Sequence, residues 1–241
     1  MVFIRSLIFY IGFIANTVVF AVLCLFLVPV PFRYRFKLIT LWNVSVLWWL
    51  KITCGIRYQI EGMQQLPEGP CIILSKHQST WETIAFAALF PPQAWVLKRE
   101  LLWVPFFGWG LALTEPIAID RGSGIKAIQR IVEVGSQRLK QGRWIIIFPE
   151  GTRMAPGERG RYGIGGAKLA EKSGYPVIPI AHNAGELWPR RSFLKRPGTV
   201  RVVIGPKIDS HGRSASEIRQ LSEQWIETKM AEISAPRSVA A

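Results

Sequence analysis

At 241 residues the chain can bury a proper core and has room for one catalytic domain plus a membrane segment, but not for several domains. Its formal net charge of +14 implies anionic partners: phospholipid headgroups, a phosphorylated substrate, an acidic carrier protein or nucleic acid. Its three cysteines, Cys24, Cys54 and Cys71, are too widely spaced for a disulfide framework or a zinc pattern, which points to a reduced, intracellular setting.

No charge appears from Ser6 through Phe32, and Leu7–Val28 supplies 22 residues, enough to cross about 30 Å of hydrocarbon as a helix. A signal peptide would have a shorter apolar region and a small-residue cleavage site, whereas Val-Pro-Val-Pro-Phe follows here. Arg33, Arg35 and Lys37 after the segment outweigh Arg5 before it, which places the rest of the chain on the cytoplasmic side. Next, Leu38, Trp42, Val46, Trp49 and Leu50 recur at helical spacing within residues 36–56. This stretch fits an interfacial helix or a core helix; a hairpin dipping into one leaflet, with residues 28–32 as its bend, is also compatible. The ten tryptophans suit an interface with one wet and one dry side. Residues 1–57 are therefore read as a membrane-anchoring helical region and 58–241 as the catalytic domain.

From residue 58 short apolar runs at 71–74, 95–97, 117–119, 144–148, 177–181 and 200–204 alternate with helical patterns at 81–90, 125–141, 165–172 and 217–233. This alternation predicts an α/β fold: a largely parallel or mixed central sheet flanked by helices. Ser214-Ala-Ser-Glu217 is a capping box before the last helix, and the tail from Ala235 is expected to fray.

Two of the apolar runs are followed at once by chemistry-bearing residues, where sites form in open α/β sheets. After 71–74 comes His77-Gln-Ser-Thr-Trp-Glu82. Histidine titrates near neutrality, and a carboxylate on its second ring nitrogen fixes the tautomer and balances the imidazolium. On a regular helix residues five apart lie about 140° apart, so the pair meets only if His77 sits in the strand-to-helix turn and Glu82 in the first helical turn. Ser79 to Glu82 also reads as a capping box, which would make Glu82 structural. After 144–148 comes Phe148-Pro-Glu-Gly-Thr-Arg153. Gly151 permits a tight turn, Thr152 can donate to a phosphate, and Arg153 offers a planar fork suited to phosphate oxygens. Glu150 suits a substrate hydroxyl or the positioning of Arg153. Lys98 and Arg121, each at a strand end, can add positive charge to the same edge, with solvated surface charge as the plainer account of Lys98. His182 reads as a structural histidine, and His211 carries no role. Together these motifs suggest base-assisted chemistry on an anionic, lipid-like molecule. The phosphate-binding, dinucleotide-binding, serine-elbow and zinc-protease signatures are all missing from the sequence.

Four blocks now stand in order: His77 to Glu82; Lys98, Pro105, Gly108 and Arg121; Phe148 to Arg153; and Val177 to Ala181. In this the chain resembles, over roughly residues 60–205, the 1-acyl-sn-glycerol-3-phosphate acyltransferases of bacterial type within the glycerolipid acyltransferases. One departure is the sixth residue of the first block, usually aspartate in that family and Glu82 here. The extra methylene moves the carboxylate by about 1.5 Å unless the backbone retreats, a distance to which reacting geometry is sensitive.

The resemblance implies acyl transfer from a thioester, acyl-CoA or acyl carrier protein, to the sn-2 hydroxyl of lysophosphatidic acid. His77 and Glu82 would be catalytic, and Arg153, Thr152, Gly151, Glu150, Arg121 and Lys98 would hold substrate. No metal or other cofactor and no nucleic-acid partner is expected. The partners are the acceptor lipid, the thioester and membrane phospholipids, at a bacterial inner membrane with the catalytic domain facing the cytoplasm. The same chemistry on a lyso-ornithine lipid, another lysophospholipid or glycerol 3-phosphate fits the residues as well. A basic, membrane-tethered binding protein is the rival from a different class, but its charge would be clustered. Here the densest cluster is Arg190, Arg191, Lys195 and Arg196, read as touching anionic headgroups or an acidic carrier.

Overall fold

A computed structural model of the chain describes residues 1–234; the tail from Ala235 lies outside the described residues. Two long helices come first, α1 (Val2–Leu25) and α2 (Phe32–Cys54). Pro29 and Pro31 cannot continue α1, and Pro31, with φ fixed at −55°, caps α2. The chain reverses across residues 26–31, so the helices run antiparallel: Arg5 Nε donates to the Thr53 carbonyl at 2.9 Å and Trp49 Nε1 to the Phe9 carbonyl at 3.2 Å. Gly55, at φ +70°, supplies the left-handed cap that turns α2 into the sheet.

The sheet has seven strands: β1 (Ile56–Glu61), β2 (Ile72–Ser75), β3 (Gln93–Lys98), β4 (Ile117–Ile119), β5 (Trp144–Ile147), β6 (Val177–His182) and β7 (Gly198–Ile204), in the order β1-β7-β6-β2-β5-β3-β4. Every pairing is parallel except β6 with β7. Between the strands lie α3 (Trp81–Leu89), α4 (Phe107–Leu113), α5 (Ile125–Lys140), α6 (Gly165–Ser173) and α7 (Ala184–Leu187), and α8 (Ala215–Ile233) follows. The largely parallel, helix-flanked sheet expected from the alternation is present. Ser214 accepts from the Glu217 N–H, and Glu217 accepts in return from the Ser214 N–H, which closes the anticipated capping box.

Strand pleating divides the core. Ile73 and Ile146 face α2 and α3, while Ile72, Leu74, Ile145 and Ile147 face α5, α6 and α8. Gly135 on α5 allows the second layer to close, because a Cβ there would lie 2.7 Å from Leu169 Cδ2 on α6. The first layer includes the hairpin: Phe9, Val46 and Leu50 are fully buried in the same cluster as Trp81 and Ile73. Residue 57 lies inside β1, and the hairpin packs on the sheet, as the core-helix alternative for residues 36–56 has it. The other faces of α1 and α2 remain exposed and apolar, with Leu7, Ile11, Ile14, Val18, Leu41 and Trp48 outward.

Lys195 differs from its expected surface position. It is buried, with Nζ 3.7 Å from the Tyr10 ring centroid, 4.7 Å from that of Trp188 and 5.4 Å from that of Phe9, and it donates to the Phe193 carbonyl at 2.8 Å. Its main-chain N–H donates to Ser6 Oγ at 2.9 Å. An ammonium over aromatic faces is attracted by their quadrupoles, so Lys195 fastens the start of α1 to the body and is not free for headgroups.

Candidate active site

Because β2 and β5 are adjacent and parallel, with Leu74 opposite Ile147, the segments leaving them emerge side by side. His77 lies between the end of β2 and the start of α3, and Glu82 is the second residue of α3. That is the arrangement the five-residue spacing requires, and His77 Nδ1 lies 2.8 Å from Glu82 Oε1. A carboxylate only accepts, so Nδ1 carries the hydrogen, and in the neutral ring the lone pair is on Nε2. The ring stacks on Phe148 with centroids 4.0 Å apart and planes at 9°.

Glu82 is completely buried, and Oε1 also accepts from the Gln78 N–H at 2.9 Å and the Ser79 N–H at 2.8 Å. Burial alone would raise its pKa; the His182 and His77 imidazoles and the Ser79 N–H outweigh this and leave it below the usual carboxylate value. The capping box is half formed. The Ser79 N–H reaches Glu82, but Ser79 Oγ accepts from the Trp81 N–H and donates to the Trp188 carbonyl. Glu82 therefore caps the turn and orients the imidazole with one oxygen.

His182 is fully buried, with Nε2 donating to the Lys76 carbonyl at 2.8 Å and Nδ1 accepting from the Ala184 N–H at 3.3 Å. Those partners require the neutral ring, and burial lowers its pKa accordingly.

The turn after β5 departs from expectation at Glu150. Its side chain has no exposed surface: Oε1 accepts from Lys76 Nζ at 2.7 Å and the Gly160 N–H at 3.1 Å, and Oε2 accepts from the His77 N–H at 3.0 Å. Both oxygens thus face internal donors, and Glu150 does not line the cavity that holds Arg153. Sequence reasoning passed over its partner Lys76, which also donates to Glu227 Oε1 at 2.9 Å and the Glu158 carbonyl at 2.9 Å; Tyr162 OH donates to the same Glu227 oxygen. Adjacency to His77 was the one local sign of Lys76, and Glu227 and Tyr162 had none.

His77, Arg121 and Arg153 line one cavity of about 490 Å³, whose other walls are mostly apolar and come from α1, α2, α3, β3, α4 and the segment before α4. Phe13, Phe36, Trp42, Ile84 and Leu111 are among the lining residues. The segment before α4 packs tightly on Gly108 in the first turn of α4, where a Cβ would lie 2.3 Å from the Leu102 carbonyl oxygen. Arg153 Nε is buried without a hydrogen-bond partner among the described residues. Burial pulls the Arg153 guanidinium below its ordinary pKa, nearby Glu82 opposes that, and Arg190 adds repulsion. Burial likewise lowers Arg121, with Glu100 opposing. Thr152 is exposed beside Arg153 and does not line the cavity, and Gly151, at φ +67°, makes the turn. Lys98 stands apart: its side chain is 49% exposed, pairs with Glu100 at 3.0 Å and does not line the cavity. The plainer account, solvated surface charge, describes it.

An imidazole with a free Nε2, two cations with spare donors and an apolar chamber can together hold an amphiphile by its anionic head and take a proton near the head. The Acyltransferase family model matches residues 57–183. The 1-acyl-sn-glycerol-3-phosphate acyltransferase of Pseudomonas aeruginosa is 47% identical over 236 residues, covering 96% of this chain and 92% of that one. The enzyme of that description from Saccharomyces cerevisiae is 30% identical over 184 residues, 73% of this chain and 59% of its own. The crystal structure of the 1-acyl-sn-glycerophosphate acyltransferase PlsC from Thermotoga maritima superposes with a TM-score of 0.79 at 23% identity, over 98% of this chain and 97% of that one, and so shares the fold. With its site at the paired ends of β2 and β5 and these relatives along nearly its whole length, the chain belongs to the acyltransferase family, as an enzyme of the 1-acyl-sn-glycerol-3-phosphate acyltransferase type.

Proposed function

We propose that the enzyme transfers an acyl group from an acyl thioester, on coenzyme A or acyl carrier protein, to the sn-2 hydroxyl of lysophosphatidic acid, giving phosphatidic acid. His77 Nε2 removes the hydroxyl proton as the oxygen attacks the thioester carbonyl. The tetrahedral intermediate then collapses, the C–S bond breaks, and the leaving thiolate takes the proton back from the imidazolium. Glu82, through the 2.8 Å bond to Nδ1, orients the ring and stabilises its charge. Arg153 and Arg121 grip the acceptor phosphate, and the apolar chamber receives acyl chain. Transfer is direct, consistent with Cys71 being completely buried and its thiol pKa pushed far up by burial.

The exposed apolar faces of α1 and α2 meet lipid at a bacterial inner membrane, with the body on the cytoplasmic side. Both ends of α1 touch that body, through Ser6 to Lys195 and Cys24 beside Gly110, which favours entry into one leaflet over a full crossing.

The observation that carries this reading is the shared chamber of His77 and Arg153. Its test is complementation of a strain lacking lysophosphatidic acid acyltransferase, with in vitro turnover on a panel of acceptors. His77→Ala should abolish turnover while acceptor binding survives, and full activity in that variant would end the assignment. Preference for a different lysolipid in the panel would reassign the acceptor.

A further inference from the structure

At the bend end of the hairpin, outside the chamber lining, three guanidiniums converge on one carboxylate. Arg35 Nη2 lies 2.6 Å from Glu115 Oε1, while Arg143 Nη1 at 2.9 Å and Arg138 Nη1 at 3.2 Å share Oε2. The arginine side chains are largely buried, at 12%, 10% and 18% exposure for Arg35, Arg143 and Arg138. One carboxylate, itself 31% exposed, leaves two of the three largely buried charges without a counter-ion among the described residues, an arrangement that a further anion would stabilise. Burial and the neighbouring Arg138 and Arg35 charges push the Arg143 guanidinium down, and Glu115 only partly offsets them.

Hydrogen bonding also leaves capacity. Arg35 is largely committed, donating from Nε to the Leu113 carbonyl at 3.0 Å and from Nη1 to the Val30 carbonyl at 3.5 Å. Arg138 reaches Gln141 Oε1 from Nη1 at 3.1 Å, but its Nε is buried with no partner among the described residues. Among the described residues the Arg143 side chain donates from Nη1 alone, and it lies 3.3 Å over the Phe32 ring, which fixes the plane of its fork. Two pre-oriented guanidiniums with spare donors match the oxygens of a phosphate.

The surroundings indicate where such a phosphate comes from. The adjoining bend, whose Val30 carbonyl lies 3.5 Å from Arg35 Nη1, exposes Phe26 and Val28. These apolar side chains adjoin the cationic cluster through Arg35, as acyl chains adjoin a headgroup.

We propose that Arg138 and Arg143, braced by Arg35 and Glu115, form a second anion site that takes the phosphate group of an anionic phospholipid seated beside the hairpin bend. The site depends on the lipid-facing hairpin of the proposed function, but not on the chemistry at His77.

The test uses the full chain carrying Arg121→Ala and Arg153→Ala, so that the chamber no longer offers its own phosphate ligands. Binding of short-chain phosphatidylglycerol, short-chain phosphatidylcholine and inorganic phosphate is measured by calorimetry and thermal shift in detergent. Phosphatidylglycerol should bind and raise Tm, phosphatidylcholine and free phosphate much less. Arg138→Gln should weaken phosphatidylglycerol by roughly tenfold, the loss expected for one charged hydrogen bond. Its ligand-free Tm should move little, since Glu115 keeps Arg35 and Arg143. Arg138→Lys, which keeps the charge but not the fork, should recover only part of the affinity. Binding unchanged in both variants, or no probe binding at all, would overturn the site and leave a structural clamp. Free phosphate binding as tightly as the lipid would overturn the lipid assignment. Co-sedimentation with phosphatidylcholine vesicles reads the hairpin separately: a chain that ignores these vesicles defeats the membrane reading, whatever the cluster does.

Discussion

Glu150 Oε2 accepts the main-chain N–H of His77 at 3.0 Å, and the carbonyl of His77 accepts the Met154 N–H at 2.8 Å. His77 is thus held by its backbone from the turn after β5, while Glu82 and Phe148 hold its ring. Lys76, the residue just before His77, is fixed by the same Glu150. One carboxylate therefore sets how the β2 and β5 turns meet.

Glu150→Gln tests this. An amide can accept only through its oxygen, so at least one of the Lys76, Gly160 and His77 donors would face an N–H instead. Breaking a buried ion pair on one side costs roughly 3–5 kcal/mol, and misplacing the imidazole lowers the rate. The expected result is a lower denaturation midpoint together with a kcat down by more than about tenfold and an acceptor KM nearly unchanged. A KM effect alone would return Glu150 to the substrate.

Glu82→Gln separates its two jobs. The amide oxygen can still accept from the Gln78 and Ser79 N–H groups, so the turn survives; what is lost is the charge opposite the imidazolium. kcat should fall by roughly 10²–10⁴ with little change in melting temperature. A drop in stability alone would make the cap the better account. Glu82→Asp should stay within about tenfold of wild type, the shorter side chain being compensated by a small advance of the start of α3.

Arg153→Ala should raise the acceptor KM by at least about tenfold, because a half-buried guanidinium with a spare Nε is lost from the chamber. Lys98→Ala should change neither constant, since Lys98 pairs with Glu100 in solvent. Steady-state kinetics over a range of acceptor concentrations distinguishes the two. Equal effects would mean that the chamber is not where the phosphate sits.

What the sequence disclosed follows from how local each signal is. β2 and β5 were legible because both are unbroken apolar runs ended by a polar turn, and parallel strands buried on both faces leave that trace. β1 was not, because Arg57, Tyr58 and Gln59 on an edge strand face outward and erase the run. α4 escaped because Gly108 and Gly110 interrupt a helix of only seven residues. Buried cations were the main misreading. Lys195 looks solvated until the rings of α1 close over it, and Lys76 finds Glu227 across 151 positions. The Arg35, Arg138 and Arg143 cluster likewise exists only once α2, α5 and the start of β5 meet around Glu115. Composition assigns such residues to solvent, and only the tertiary fold supplies their partners.

The same Glu115 gives the hairpin an acid sensitivity whose sign is fixed. Burial would raise its carboxyl, but the Arg143 hydrogen bond and charge, with Arg138 and Arg35, outweigh this and hold it below the ordinary value of 4.5. Between the lowered folded value and the ordinary unfolded value, the unfolded chain binds more protons, so stability rises with pH there. The contribution is complete above about pH 4.5 and is lost as pH falls through the folded value. Wild type should exceed Glu115→Gln by on the order of 1 kcal/mol at pH 7, a modest figure because the carboxylate is partly solvated. That gap should shrink as urea unfolding is repeated from pH 6 down to pH 3, since a protonated carboxyl and an amide are alike to the three arginines. A gap that stayed constant with pH would show that shape, not ionisation, ties Arg35 of α2 to Arg138 of α5 and Arg143.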